Sequence, residues 1–87
     1  MPRRATPAFW HAYRGLPDDV RELADKNFAL LQQSPSHPSL HLKKVKAREG
    51  LWSARVGRGH RALATETDDG LLWFWIGPHS DYDRIIG

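Results

Sequence analysis

The order of apolar and polar positions divides the chain into a helical first half and a strand-forming second half. Phe9, Trp10, Tyr13 and Leu16 recur at i, i+1, i+4 and i+7, which is one apolar stripe of a helix. Thr6 and Pro7 supply its start, a hydroxyl that can cap free N–H groups followed by a residue whose missing N–H costs nothing there. Gly15 is expected to stop this helix in the left-handed conformation. Pro17 begins the next helix, with Asp18, Asp19 and Glu22 in the first turn, where the macrodipole favours negative charge. Val20, Leu23, Ala24, Phe28 and Leu31 form its buried stripe, and Arg21, Asp25, Lys26, Gln32 and Gln33 its wet side. Pro35 and Pro38 cannot continue it, so it ends by Ser34. Two helices so closely linked form an αα-hairpin over about 7–34.

From Leu40 the period changes to two. Leu40 and Leu42 alternate with His41 and Lys43, predicting a short strand that loses phase at Lys44 and Val45, before a polar turn over 46–50. Trp52, Ala54 and Val56 then share one face of a strand, with Ser53 and Arg55 on the other. A further strand, His60 to Thr65, follows Gly-Arg-Gly. A three-residue loop of Gly57, Arg58 and Gly59 pairs Val56 with His60, Ala54 with Ala62 and Arg55 with Arg61, leaving both arginines on the open side. A two-residue loop would put those arginines on opposite faces, and glycines at both ends of the loop favour the longer, bulged form. Asp69 and Gly70 turn the chain into Leu71–Ile76, six consecutive apolar residues that read as a central strand ended by Gly77 and Pro78. The expected fold is α+β in one domain over 1–87: an N-terminal αα-hairpin packed on one face of a small, largely antiparallel sheet of three to four strands, spanning about 40–77, with a C-terminal tail 78–87.

Composition narrows the classes. The 87 residues contain no cysteine, which excludes a disulfide framework and any thiolate metal site, and fits a reducing cytoplasm. The longest apolar run is far below a membrane span, so a soluble, unprocessed cytoplasmic protein is expected. A chain of this length buries only about 60% of its unfolded surface, which makes a stabilising partner plausible. Net charge is only +3, yet 40–61 carries Lys43, Lys44, Lys46, Arg48, Arg55, Arg58 and Arg61 against Glu49 alone. That asymmetry points to a polyanion or an acidic protein as partner.

Candidate chemistry falls in two places. Arg55 and Arg61, opposite one another on an exposed face, would repel unless something anionic neutralised them. They read as a phosphate clamp, with Lys43, Lys46 and Arg58 on the same polar side, or as a solvated basic face. After the central strand, His79 and Tyr82 are the groups able to move a proton, or else an ordinary turn histidine and an edge tyrosine. Asp81 and Asp83 are expected to bond the turn or pair with Arg84. His37 and His41 lie across a proline and would not share a helical face, so no metal and no cofactor is expected. The aromatic set reads as core, with Trp73 or Trp75 directed away from the helices, where it could stack a nucleobase.

The segments WSARVGRGHRAL and WFWIGPHSDYDRII, with the pair R-V-G-x-x-x-R and I-G-x-H-x-x-Y-D, resemble the RelE/ParE toxin superfamily of type II toxin-antitoxin systems, and the likeness runs from about Phe9 to Ile86. The resemblance implies a compact α+β toxin neutralised by a cognate antitoxin. For the RelE-like branch it implies a ribosome-dependent, metal-independent mRNA endoribonuclease. Arg55 and Arg61 match residues that stabilise the scissile phosphate, and His79 and Tyr82 match the zone of acid-base groups. Lys43, Lys44 and Lys46 match positions where RNA-cleaving members carry cationic side chains, and Arg58, on the same polar side, is expected to join them in binding nucleic acid. The ParE branch would instead make the target DNA gyrase, and a non-catalytic interaction module with this fold is a further alternative. The family's N-terminal strand is expected to be short or absent, because only five residues precede Thr6.

Overall fold

The computed structural model describes residues 4–46 and 48–87. Helix α1, Pro7–Arg14, starts as its sequence requires: the Thr6 hydroxyl accepts a hydrogen bond from the Phe9 N–H, and proline opens the first turn. It does not end in a left-handed glycine. Gly15 has φ −82°, and its N–H bonds back to Ala12, so a tight right-handed turn delivers Leu16 into the core before Pro17. Helix α2, Asp18–Gln33, carries Asp18 and Asp19 in its first turn and stops at Ser34, as Pro35 demands.

The expected strand around Leu40 and Leu42 is a second departure. Pro38–Leu40 is a single 3₁₀ turn, and the strand that follows, β1, is only Lys43–Lys44. His41 breaks the extended path with φ 44°. Leu40 is nevertheless buried, so the alternation reported burial correctly and conformation wrongly. Of the predicted polar turn over 46–50, residue 47 lies outside the described residues.

Strands β2 (Leu51–Val56), β3 (His60–Thr67) and β4 (Gly70–Pro78) complete an antiparallel meander in the order β1-β2-β3-β4. The β2–β3 register is the three-residue-loop register: Val56 with His60, Arg55 with Arg61, Ala54 with Ala62. Gly57, at φ 65°, supplies the left-handed residue that the loop needs. Beside β4 the described residues of the N-terminus form one bridge of a further strand. Ala5 pairs in parallel with Trp73, whose N–H donates to the Arg4 carbonyl (3.0 Å) while its carbonyl accepts from Thr6 N–H (2.9 Å).

Two apolar clusters hold the layers. On one face Phe9, Leu16, Ala24 and Phe28 of the helical hairpin meet Ala54, Val56, Ala62, Ala64, Trp73 and Ile76. The opposite face was expected to be open, with 78–87 a tail. Instead His79–Ile86 is a helix, α3, whose Tyr82, Ile85 and Ile86 cover Val45, Leu51 and Leu63. Pro78 gives it a start and the i, i+3, i+4 spacing of those three side chains gives it a buried stripe.

The two tryptophans of β4 divide between these clusters, Trp73 against Phe28 and Trp75 toward α3. Regular alternation would put both on one face. A register shift opposite Leu63 and Ala64 pairs Leu63 with Trp75 and Ala64 with Trp73, leaving Phe74 as the extra residue of a bulge.

Candidate functional site

The site lies where β2, β3 and α3 meet. Ser53 and Arg61 point to the α3 side of the sheet, and both are buried, at 0% and 8% exposure. Arg61 Nη2 donates to Ser53 Oγ at 2.9 Å, and the Tyr82 hydroxyl approaches the same oxygen at 3.3 Å. The Arg61 guanidinium carbon sits 5.1 Å from the Tyr82 ring centroid, a cation–π distance. Arg61 Nε has no hydrogen-bond partner and is shielded from solvent. Desolvating a charged donor without an acceptor is costly, so this nitrogen marks a place where an anionic oxygen would be bound favourably.

Next to this buried group is a cleft of about 300 Å³ lined by Lys43, Lys44, Val45, Lys46, Tyr82 and Ile86. Cross-strand pairing places Lys43 opposite Ser53, on the same face. Lys44 also reaches Glu66, at 3.9 Å, and lies over the Trp52 ring. The cleft therefore presents ammonium groups at its rim and the tyrosine that covers Arg61 in its wall.

His79 stands at the start of α3, with its backbone N–H donating to the Gly59 carbonyl at 2.8 Å. That bond ties the helix to the β2–β3 turn. Its Nε2 lies 3.3 Å from Asp83 Oδ1, one turn along α3, and its ring centroid is 5.5 Å from that of Tyr82. The imidazole is half exposed, and the carboxylate can orient it. Asp81, not Asp83, pairs with Arg84.

The structure separates the surroundings of the two arginines. They are cross-strand partners, yet they do not share an open face. Arg61 is under Tyr82, while Arg55 Nε donates to the Gly57 carbonyl at 3.0 Å and its Nη1 lies 3.5 Å from His41 Nε2. Arg58 accompanies Arg55 in a different cleft, beside Leu23 and Asn27 of α2. Among the described residues no group of three or more His, Cys, Asp or Glu side chains is placed to hold a metal ion. No described helix is long and apolar enough to cross a membrane.

Ser53 is the residue that sequence reasoning missed. A mid-strand serine on the arginine face signals nothing by itself, and its role as shared partner of Arg61 and Tyr82 arises only because α3 folds over it. The Asp83–His79 pair was missed for the same reason, since it needs 79–86 to be helical.

A model of the ParE-like toxin domain matches residues 18–84, and the chain belongs to that family, within the RelE/ParE toxin superfamily. The fold agrees with solved toxin structures. A chain of the RelB–RelE antitoxin–toxin complex from Methanococcus jannaschii superposes with TM-score 0.76 at 16% identity, covering 97% of this chain and 99% of that one. The isolated RelE toxin of E. coli gives 0.65 at 16% identity, covering 97% and 96%. The YoeB/ParE toxin from Agrobacterium tumefaciens gives 0.69 at 19% identity, covering 91% and 99%. A search of curated protein sequences gives no match.

Proposed function

We propose that this protein is the toxin of a type II toxin-antitoxin pair, bound and neutralised by a cognate antitoxin in the cytoplasm, and that it cleaves messenger RNA on the ribosome without a metal ion. The observation that carries the reading is the unpartnered Nε of buried Arg61 beside a cleft rimmed by Lys43 and Lys46. A scissile phosphate at the mouth of that cleft would meet cationic donors from two elements, and Arg61 would reach it once α3 lifts enough to uncover the guanidinium.

In this mechanism the ribose 2′-oxygen attacks the adjacent phosphorus and the 5′-oxygen leaves. A lysine of the cleft or Tyr82 takes the 2′-hydroxyl proton. Protonated His79, oriented by Asp83, supplies a proton to the departing 5′-oxygen. Arg61 stabilises the extra negative charge on the phosphorane-like centre, and the product carries a cyclic phosphate. The Tyr82 hydroxyl donates inward to Ser53, which favours a lysine as the base.

The test is expression of the wild type beside Arg61→Ala and His79→Ala in growing cells, with transcript ends mapped. Wild type should arrest growth with new cleavage sites inside translated messages, and each variant should reduce cleavage by about 10²-fold or more. Growth arrest with intact messages would remove the nuclease reading. The match to the ParE-like domain favours a second reading, inhibition of DNA gyrase by binding. That reading predicts DNA-damage signalling with no change at transcript ends.

A further inference from the structure

Between the second half of α2 and the end of the sheet near the β3–β4 turn lies a further cleft, of about 260 Å³. It shares no lining residue with the lysine cleft or with the cleft of Arg55 and Arg58. Phe28 and Leu31 of α2, Leu42 of the link before β1, and Leu71 and Trp73 of β4 form its apolar walls. Phe28 and Trp73 are buried and meet edge to face, with ring centroids 5.1 Å apart, which fixes one wall.

Of the residues lining this cleft, Arg4 and Asp69 are the charged ones. Both belong to the same turn region. The Arg4 guanidinium donates to Thr67 Oγ1, that hydroxyl donates to the Gly70 carbonyl at 2.9 Å, and Asp69 immediately precedes Gly70. The ion pairs found among the described residues include neither of them. Each charge is therefore left without a counter-ion from the chain, and the low-dielectric walls beside it strengthen its attraction for one.

This arrangement discriminates among small ligands. A hydrocarbon would fill the walls and leave both charges unused. A simple carboxylic acid would gain Arg4 but bring its own charge near Asp69, and a simple amine would gain Asp69 but meet Arg4. A zwitterion with its charges on neighbouring atoms and an apolar side chain satisfies the walls and both charges together. Size agrees: about 150 Å³ of apolar cavity is enough to hold benzene, and this cleft is larger, at about 260 Å³.

We infer that the cleft binds a free α-amino acid with an apolar side chain of leucine or phenylalanine size, its carboxylate on Arg4, its ammonium on Asp69 and its side chain between Leu31, Leu42 and Trp73. The ligand bridges α2, the link before β1 and β4, so its binding stabilises the helical layer on the sheet. The site stands apart from the nuclease and gyrase readings, because it uses none of the residues around Arg61.

The experiment titrates the isotopically labelled full chain with L-leucine, N-acetyl-L-leucine, L-leucinamide and glycine, and follows amide signals by NMR. Leucine should bind saturably, with a dissociation constant of about 1 mM or tighter, and move the signals of Gly70, Leu71 and Trp73. Acetylation removes the ammonium and amidation the carboxylate, and each should weaken binding about tenfold or more. Glycine, with no side chain to bury, should give no saturable shift at the same concentrations. Asp69→Asn keeps a residue suited to a turn before glycine; it should weaken leucine about tenfold and leave N-acetyl-leucine within about twofold. Arg4→Gln should weaken leucine similarly and leave leucinamide within about twofold. Melting curves confirm that both variants fold, and leucine should raise the melting temperature of the wild type more than that of either variant. Absence of a saturable shift, binding of N-acetyl-leucine or leucinamide as tight as that of leucine, or glycine matching leucine overturns the inference.

Discussion

Single hydrogen bonds define the fine structure of both helical layers. Tyr13 donates to Asp25 Oδ1 at 2.6 Å, joining α1 to α2. Its pKa is raised above the ordinary 10.0 chiefly by that bond, then by burial and the Asp25 charge, with Arg21 opposing. The folded state therefore holds the phenol proton more tightly than the unfolded chain. The resulting stabilisation is complete below the unfolded pKa and is lost as pH rises through the folded one. Tyr13→Phe should lower stability by about 1 kcal/mol at neutral pH, and denaturant titrations of the two proteins should converge as pH rises through the folded pKa of Tyr13. At Ser53 the consequence is larger for its neighbours than for itself. Ser53→Ala would leave Arg61 Nη2 and the Tyr82 hydroxyl without their shared acceptor, at a cost of about 1–3 kcal/mol measurable by urea denaturation.

At the scale of elements, α3 has the widest effect. It buries Leu63 and Tyr82, covers Arg61 and is fastened to the β2–β3 turn by the Gly59–His79 bond. Burying a leucine or tyrosine-sized side chain contributes roughly 1.5–3 kcal/mol, so a chain ending at Pro78 should lose several such contributions. It should bind a hydrophobic dye and melt less cooperatively than the full chain; an unchanged melting curve would show that α3 is dispensable to the second layer. The sequence signalled each part of α3, Pro78 at its start and Tyr82, Ile85 and Ile86 at helical spacing. Local composition instead points to a polar tail, because His79, Ser80, Asp81 and Asp83 dominate the segment. The short strand at Leu40 failed in the opposite sense, as buried Leu40 and partly buried Leu42 satisfied period two while His41 adopted a left-handed backbone that no regular strand allows.

For the whole molecule, the governing property is the placement of charge relative to the two faces. The lysines of β1 and its following turn border the α3 side, whereas Arg55 and Arg58 border α2. If Lys43, Lys44 and Lys46 each neutralise a phosphate of bound RNA, log affinity should fall with log salt with a slope of about −2, near 0.7 per phosphate for single strands. Titrations across a salt series check this, and a flat dependence removes the lysine track from the RNA-binding surface.

What the sequence determined alone follows from local chemistry and period. The αα-hairpin comes from caps, prolines and a 3.6-residue stripe, and the Arg55–Arg61 register from a loop whose end glycines permit only certain turns. The likeness to the toxin superfamily rests on the same short segments. The tertiary structure decided what those side chains meet. Register made Arg55 and Arg61 partners, but packing then buried one beneath Tyr82 and turned the other toward Gly57 and His41. A bulge at Phe74 assigned Trp73 and Trp75 to opposite cores, and α3 converted an open basic face into a covered site. Neither outcome can be read from spacing, because burial depends on which distant element closes over a face.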